Sequence, residues 1–157
     1  PRMLPISMDS VRWWLDASQG AYSDAGATLA SNGQTVQQWN DQSGGARHGS
    51  SATAGNRPTY VTGAINGRPV LRFDGTSDQL SFNGNFFLNT AYTLIVVAKI
   101  TSNKADNWFL AGDTNDANAE LRLGFLSTSS FQLGQGSNSL AVTESASGNA
   151  DIYLGSL

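Results

Sequence analysis

Carboxylates raise the first question in this chain, because paired acids can move protons or hold a hard cation. Asp74 and Asp78 lie four residues apart in "FDGTSDQ", Asp113 and Asp116 share "GDTNDANAE" with Glu120, and Asp41 stands in "NDQSGG". Calcium takes about six to eight oxygen ligands from a bent loop, so Asp74, Asp78, Asp113 and Asp116 are the candidate calcium ligands. "GDTNDANAE" has Asn118 where an EF-hand loop needs glycine, and it has no flanking helical pattern. The plainer reading of all these acids is that they accept backbone N–H groups in turns. No other residue pattern calls for a cofactor.

Catalysis fares worse. Glycoside hydrolysis needs two carboxyl groups at a set separation, one of them an acid with a raised pKa. The chain has two glutamates, Glu120 and Glu144, and they do not cluster. Cysteine is absent, which removes a thiol nucleophile, a thiolate metal site and a disulfide framework. Gly-x-Ser-x-Gly is absent as well. The lone His48, in "GGARHGSS", offers a ligand contact or a pH-sensitive interaction, against the blander alternative of an exposed loop histidine. The chain therefore reads as a binder rather than an enzyme.

Trp13, Trp14, Trp39 and Trp108 could present ring faces to a sugar, although tryptophans in strands mostly fill cores. In "VRWWLD", Val11, Trp13 and Leu15 alternate with Arg12, Trp14 and Asp16, which leaves Trp14 as the better exposed platform. Trp14, Asp41 and His48 are the candidate ligand-binding residues.

The totals limit the partners. The 157 residues carry a formal charge of −3, and the nine basic residues are scattered, so there is no electrostatic footprint for nucleic acid. The longest purely apolar run, "LIVVA" (Leu94–Ala98), is too short for membrane insertion as a helix. "PRMLPISM" has no basic region followed by an apolar run. Charged residues make up 13%, so Ser, Thr, Asn, Gln and Gly must supply most of the polar surface.

These residues must be positioned by strands. "ELRLGFL" alternates Leu121, Leu123 and Phe125 with Glu120, Arg122 and Gly124, and "SFQLG" repeats the pattern. "YTLIVVAKI" is apolar at successive positions, as expected of a central strand covered on both faces. Seventeen glycines and four prolines supply turns such as "SNGQ", "QSGGARHG", "INGRP" and "FDGTSD". About eleven strand candidates result, with one helical turn at Asp24 to Leu29. The expected fold is all-β, a two-sheet antiparallel β-sandwich of the jelly-roll kind, in one domain over residues 1–157. The strand pattern "ADIYLGSL" stops with the chain, so the sandwich is expected to be incomplete at its C-terminus and part of a longer protein.

Several segments in order carry a family resemblance: "VRWWLDAS", "WNDQSGG", "RPTYV", "INGRPVLRFDGTSDQLSF" and "YTLIVVAKI". Over Val11 to Ile100 the chain resembles the concanavalin A-like lectin/glucanase group, specifically the laminin-G-like jelly-roll domains of bacterial surface and phage structural proteins. The resemblance implies a jelly roll used to bind glycans, cell-surface receptors or neighbouring virion subunits outside the cell, and in some members calcium at a loop rim. It fixes no ligand, since the fold hosts lectins, hydrolases and structural modules. The expected function is a non-catalytic binding or adhesion module, with a purely structural virion or assembly module as the alternative and a glycoside hydrolase third. Within "INGRPVLRFDGTSDQLSF", Leu71 and Phe73 should point inward, Asp74 should hold the turn, and Leu80 and Phe82 should return to the core. Arg72 is expected to pair with a carboxylate such as Asp16, Asp41 or Asp74.

Overall fold

The computed structural model describes residues 10–87, 90–100, 106–112, 121–135, 138–143 and 150–156, the last two segments as backbone. The described chain is all-β. Every strand pairing is antiparallel, and helical backbone is confined to short 3-10 turns such as Ala54–Asn56 and Asn85–Phe87. No described helix is long and apolar enough to cross a membrane. The chain divides into two compact units, Pro1–Asn83 and Gly84–Leu157.

In the first unit the first three strands have two residues each, because turn residues interrupt them every few positions. Strands β1 (Ala21–Tyr22), β2 (Gln38–Trp39) and β3 (Gly49–Ser50) form a three-stranded sheet in that order. Strands β4 (Thr59–Ile65) and β5 (Arg68–Arg72) form a hairpin closed by Asn66 and Gly67, both at positive φ (49° and 76°). Asn-Gly is the pair that adopts this left-handed turn at least cost. The segment before β2 runs beside β4: Gly33 N–H donates to Tyr60 O, Tyr60 N–H to Gln34 O, and Val36 N–H to Pro58 O, each at 2.8 Å. Ala21, Val36 and Pro58 are buried there, and so are the polar Asp41 and Ser51. This is a small apolar core closed by polar groups.

The strands of the second unit run five to seven residues. β6 (Thr93–Lys99) pairs with β11 (Ala150–Ser156), while β7 (Asn107–Ala111), β8 (Leu121–Ser127), β9 (Ser130–Gln135) and β10 (Asn138–Thr143) form a four-stranded meander. Leu123 sits opposite Leu133, and Phe125 opposite Phe131, so the alternating positions of both strands meet on one face. Leu121, Leu123, Phe125, Phe131 and Leu133 are all buried. Phe125 and Phe131 meet edge-on at 5.3 Å, with Phe109 near both at 6.4 and 6.3 Å. Gly124 lets β7 approach: a Cβ there would run into the Asn107 carbonyl oxygen and lie 2.7 Å from Trp108 Cα, where the β7–β8 register shifts.

Several expectations about local structure change. The segment Val11 to Leu15 is not part of a paired strand. Asp24 to Leu29 is a bent loop rather than a helical turn, because Gly26 takes φ 104° and Asp24 captures the N–H groups that a helix would use. β6 pairs with β11 alone among the described residues, and its Ile95 and Val97 are 58% and 60% exposed. An apolar run without alternation cannot by itself report whether both faces are covered. Phe73 is 45% exposed because β5 ends at Arg72, which breaks the parity that would have placed Phe73 beside Leu71. Arg72 itself is exposed, with its charge solvated at the strand end. Ser81 forms an isolated bridge with Ser50, so the segment after Asp78 joins β3 rather than returning along β5.

Candidate functional site

The three candidate ligand-binding residues come together around the buried Asp41. Its Oδ1 accepts the N–H of Trp14 at 3.0 Å and of Ser43 at 2.9 Å, and its Oδ2 accepts the N–H of Arg47 at 3.1 Å. The Asp41 N–H in turn donates to His48 Nδ1 at 3.1 Å. Gln42 N–H donates to Trp14 O at 2.7 Å, and the Trp13 indole N–H donates to Arg47 O at 2.8 Å. Arg47 and the Ser43 hydroxyl both donate to Arg12 O, at 2.9 and 3.1 Å. Burial alone would raise the Asp41 pKa, but the N–H groups of Trp14, Ser43 and Arg47, with the Ser43 hydroxyl, outweigh it and leave the carboxyl below its ordinary value. Asp41 thus ties the "RWWLD" segment to the loop that follows β2. Its oxygens are occupied by that task, and Trp14 and His48 are partners in it.

The same device recurs in two exposed loops. Asp24 Oδ1 accepts the N–H groups of Gly26, Ala27 and Thr28 at 3.2, 2.8 and 2.9 Å, and with Thr28 contributing most its pKa falls to about 2. Asp74 Oδ1 accepts the N–H groups of Thr76, Ser77 and Asp78 at 2.8, 2.8 and 3.0 Å, and these, Asp78 foremost, bring its pKa to about 2. Asp78 answers by accepting the Asp74 N–H at 2.9 Å. Burial pushes the Asp78 pKa up; the Asp74 N–H opposes this, and the neighbouring Asp74 charge adds to it. The spacing of these two acids therefore reports a mutually capped loop.

That geometry bears on the calcium candidates. Asp74 Oδ1 already faces three N–H dipoles, and a cation placed against the same oxygen would face their positive ends. Among the described residues no group of three or more His, Cys, Asp or Glu side chains is arranged to hold a metal ion. Asp74 and Asp78 spend these oxygens on the N–H groups of their own loop. Asp113, Asp116 and Glu120 lie outside the described residues, as does Glu144.

Two tryptophans have ring partners. Trp13 stacks on Phe82 at 4.3 Å, with 24° between the planes. The Arg122 guanidinium sits 5.6 Å from the Trp108 ring centre. Trp39 is half-buried, and its indole N–H has no hydrogen-bond acceptor among the described residues.

One feature escaped the sequence. Ala17, Ser18, Gln19, Gly20, Ala21, Leu29, Ala30 and Tyr60 line a shallow open pocket of about 90 Å³ in the first unit. Leu29, 61% exposed, and Tyr60 give it an apolar and aromatic wall, while Ser18 and Gln19 supply polar groups. Tyr60 belongs to "RPTYV", but nothing in the spacing joins it to residues forty positions earlier. The chain matches no family model, no curated protein and no solved structure at a significant level.

Proposed function

We propose that this chain is a non-catalytic binding or adhesion module that recognises a glycan or another cell-surface ligand on an extracellular or phage virion protein, built as a laminin-G-like jelly-roll sandwich. The observation that carries the reading is the shallow pocket between Leu29 and Tyr60, with Ser18 and Gln19 at its side. At about 90 Å³ it is far below the ~300–1,000 Å³ of a cleft that engulfs a drug-sized ligand, and it suits the edge of one polar ring packed on an aromatic face. The carboxylates support a binder too. Asp24, Asp41 and Asp74 have pKa values lowered by backbone N–H groups, the opposite of what a general acid needs. On this reading the module needs no cofactor, binds no nucleic acid and does not insert into a membrane.

A glycan array probed with the intact chain tests the proposal. Binding that Tyr60→Ala or Gln19→Ala weakens at least several-fold, with the melting temperature retained, is the expected result; silence across a broad array overturns it. Calcium enters as a separate arm. A rise in melting temperature with calcium, reversed by chelator, would restore a metal to the rim. The second reading is a structural module of a virion or extracellular assembly. It is favoured by the exposed Ile95 and Val97 on β6, apolar surface of the kind that subunit contacts cover. Self-association that Val97→Lys abolishes would favour that reading over the glycan one.

A further inference from the structure

Asn-Gly pairs are chemically labile as well as good turn formers. The nitrogen after the asparagine carries little steric bulk around it, so it can attack the side-chain amide. The chain has three such pairs, Asn32–Gly33, Asn66–Gly67 and Asn83–Gly84. The third spans the boundary between the two units, and the other two lie within the first unit.

Asn32 is restrained at both reacting atoms. Its Oδ1 accepts the Thr62 N–H at 2.9 Å and the Thr62 hydroxyl at 3.1 Å, which holds the carboxamide in place. The Gly33 nitrogen, which would be the nucleophile, donates its hydrogen to Tyr60 O at 2.8 Å. Asn66 has neither restraint. It and Gly67 are exposed at the β4–β5 tip, and no side-chain bond of Asn66 or N–H bond of Gly67 is formed among the described residues. A Cβ built on Gly67 would meet nothing within 4 Å. The tip is weakly fastened: the Ile65–Arg68 pair stands alone beyond the register shift, and the next pair is Val61 with Val70. Attack requires the turn to open, and this end of the hairpin opens at the cost of few contacts.

We propose that Asn66 is a site of spontaneous deamidation and backbone isomerisation, converting ahead of Asn32. The Gly67 amide nitrogen loses its proton to solvent base and bonds to Asn66 Cγ; the Cγ–N bond breaks and ammonia leaves, giving a five-membered succinimide. Water then opens the ring at either carbonyl, yielding aspartate or isoaspartate. Either product takes the net charge from −3 to −4 at pH 7, since one neutral amide becomes one carboxylate. Isoaspartate also lengthens the main chain by one carbon inside a two-residue turn, which disrupts the Ile65–Arg68 pairing.

The test is incubation of the folded full chain at mildly alkaline pH, with peptide mass mapping and enzymatic isoaspartate labelling over time. The Asn66 peptide should convert several-fold faster than the Asn32 peptide, and urea should bring the two rates together. Asn66→Gly keeps a turn that tolerates positive φ and should abolish isoaspartate at that position while the melting temperature is retained. Equal rates in the folded chain, faster conversion at Asn32, or an Asn66 peptide that stays intact while the urea control converts would each overturn the proposal.

Discussion

The two units reach stability by different means. Beside the β4–β5 hairpin, the first holds its two-residue strands β1–β3 and its loops in place with side-chain oxygens: Asp24, Asp41 and Asp74 each accept three backbone N–H groups. The second relies on strand ladders of five to seven residues around a face of Leu121, Leu123, Phe125, Phe131 and Leu133. A region rich in Gly, Ser and Asn has few apolar side chains to bury, so it satisfies its backbone through short acids. A region with clean alternation buries a face and lets the sheet satisfy the backbone. Loops shaped by local hydrogen bonds can present polar groups to a ligand without a large core beneath them, which is why the pocket of the first unit carries the functional reading.

The sharpest way to break this contrast is to empty the aromatic cluster. Phe125→Ala removes a side chain buried against Phe131 and Phe109, and should cost about 3–5 kcal/mol in urea unfolding followed by far-ultraviolet circular dichroism. Asp41→Ala should cost less, about 2–3 kcal/mol, because the N–H groups of Trp14, Ser43 and Arg47 lose a charged acceptor. If Asp41→Ala left stability unchanged, the account of the first unit as acid-organised would fail. Acid titration comes next. Asp24 and Asp74 have folded pKa values near 2 against an ordinary 3.8, and Asp41 is also lowered. The folded state thus binds these protons less readily than the unfolded chain, so their stabilisation is present above about pH 4 and is lost as pH falls toward 2. Asp78, raised, has the opposite sign and returns part of the loss. Tryptophan fluorescence across that window, compared between Trp13→Phe and Trp108→Phe variants, should show the environment of Trp13 changing before that of Trp108. The smallest effect is expected from Asp74→Ala, a melting-temperature drop below that of Asp41→Ala, since the Asp74 loop is exposed and water can replace the lost acceptor.

Much of the local chemistry was legible before folding. "FDGTSD" announces an acid that captures the N–H groups after it, and Asp74 does so. "INGRP" announces a tight hairpin, and Asn66–Gly67 close one. The alternation in "ELRLGFL" and "SFQLG" identifies the buried face of β8 and β9. The failures have a shared cause. Phe73, Ile95 and Val97 were assigned to interiors by parity or by apolar run, yet their exposure depends on where a strand ends and which strands lie beside it. Nothing in the spacing of Trp14, Asp41 and His48 shows that Asp41 bonds to both of the others; only the distances reveal it.

The sequence by itself determined the all-β class, the turn positions and the acids that hold them, because these follow from interactions within a few residues. The tertiary structure alone decided which faces stay open and that Leu29, Tyr60 and Gln19 share a pocket. It also decided that Asn32 is restrained by Thr62 while Asn66 is not. Those outcomes depend on contacts between residues far apart in the chain, whose closure no local pattern encodes.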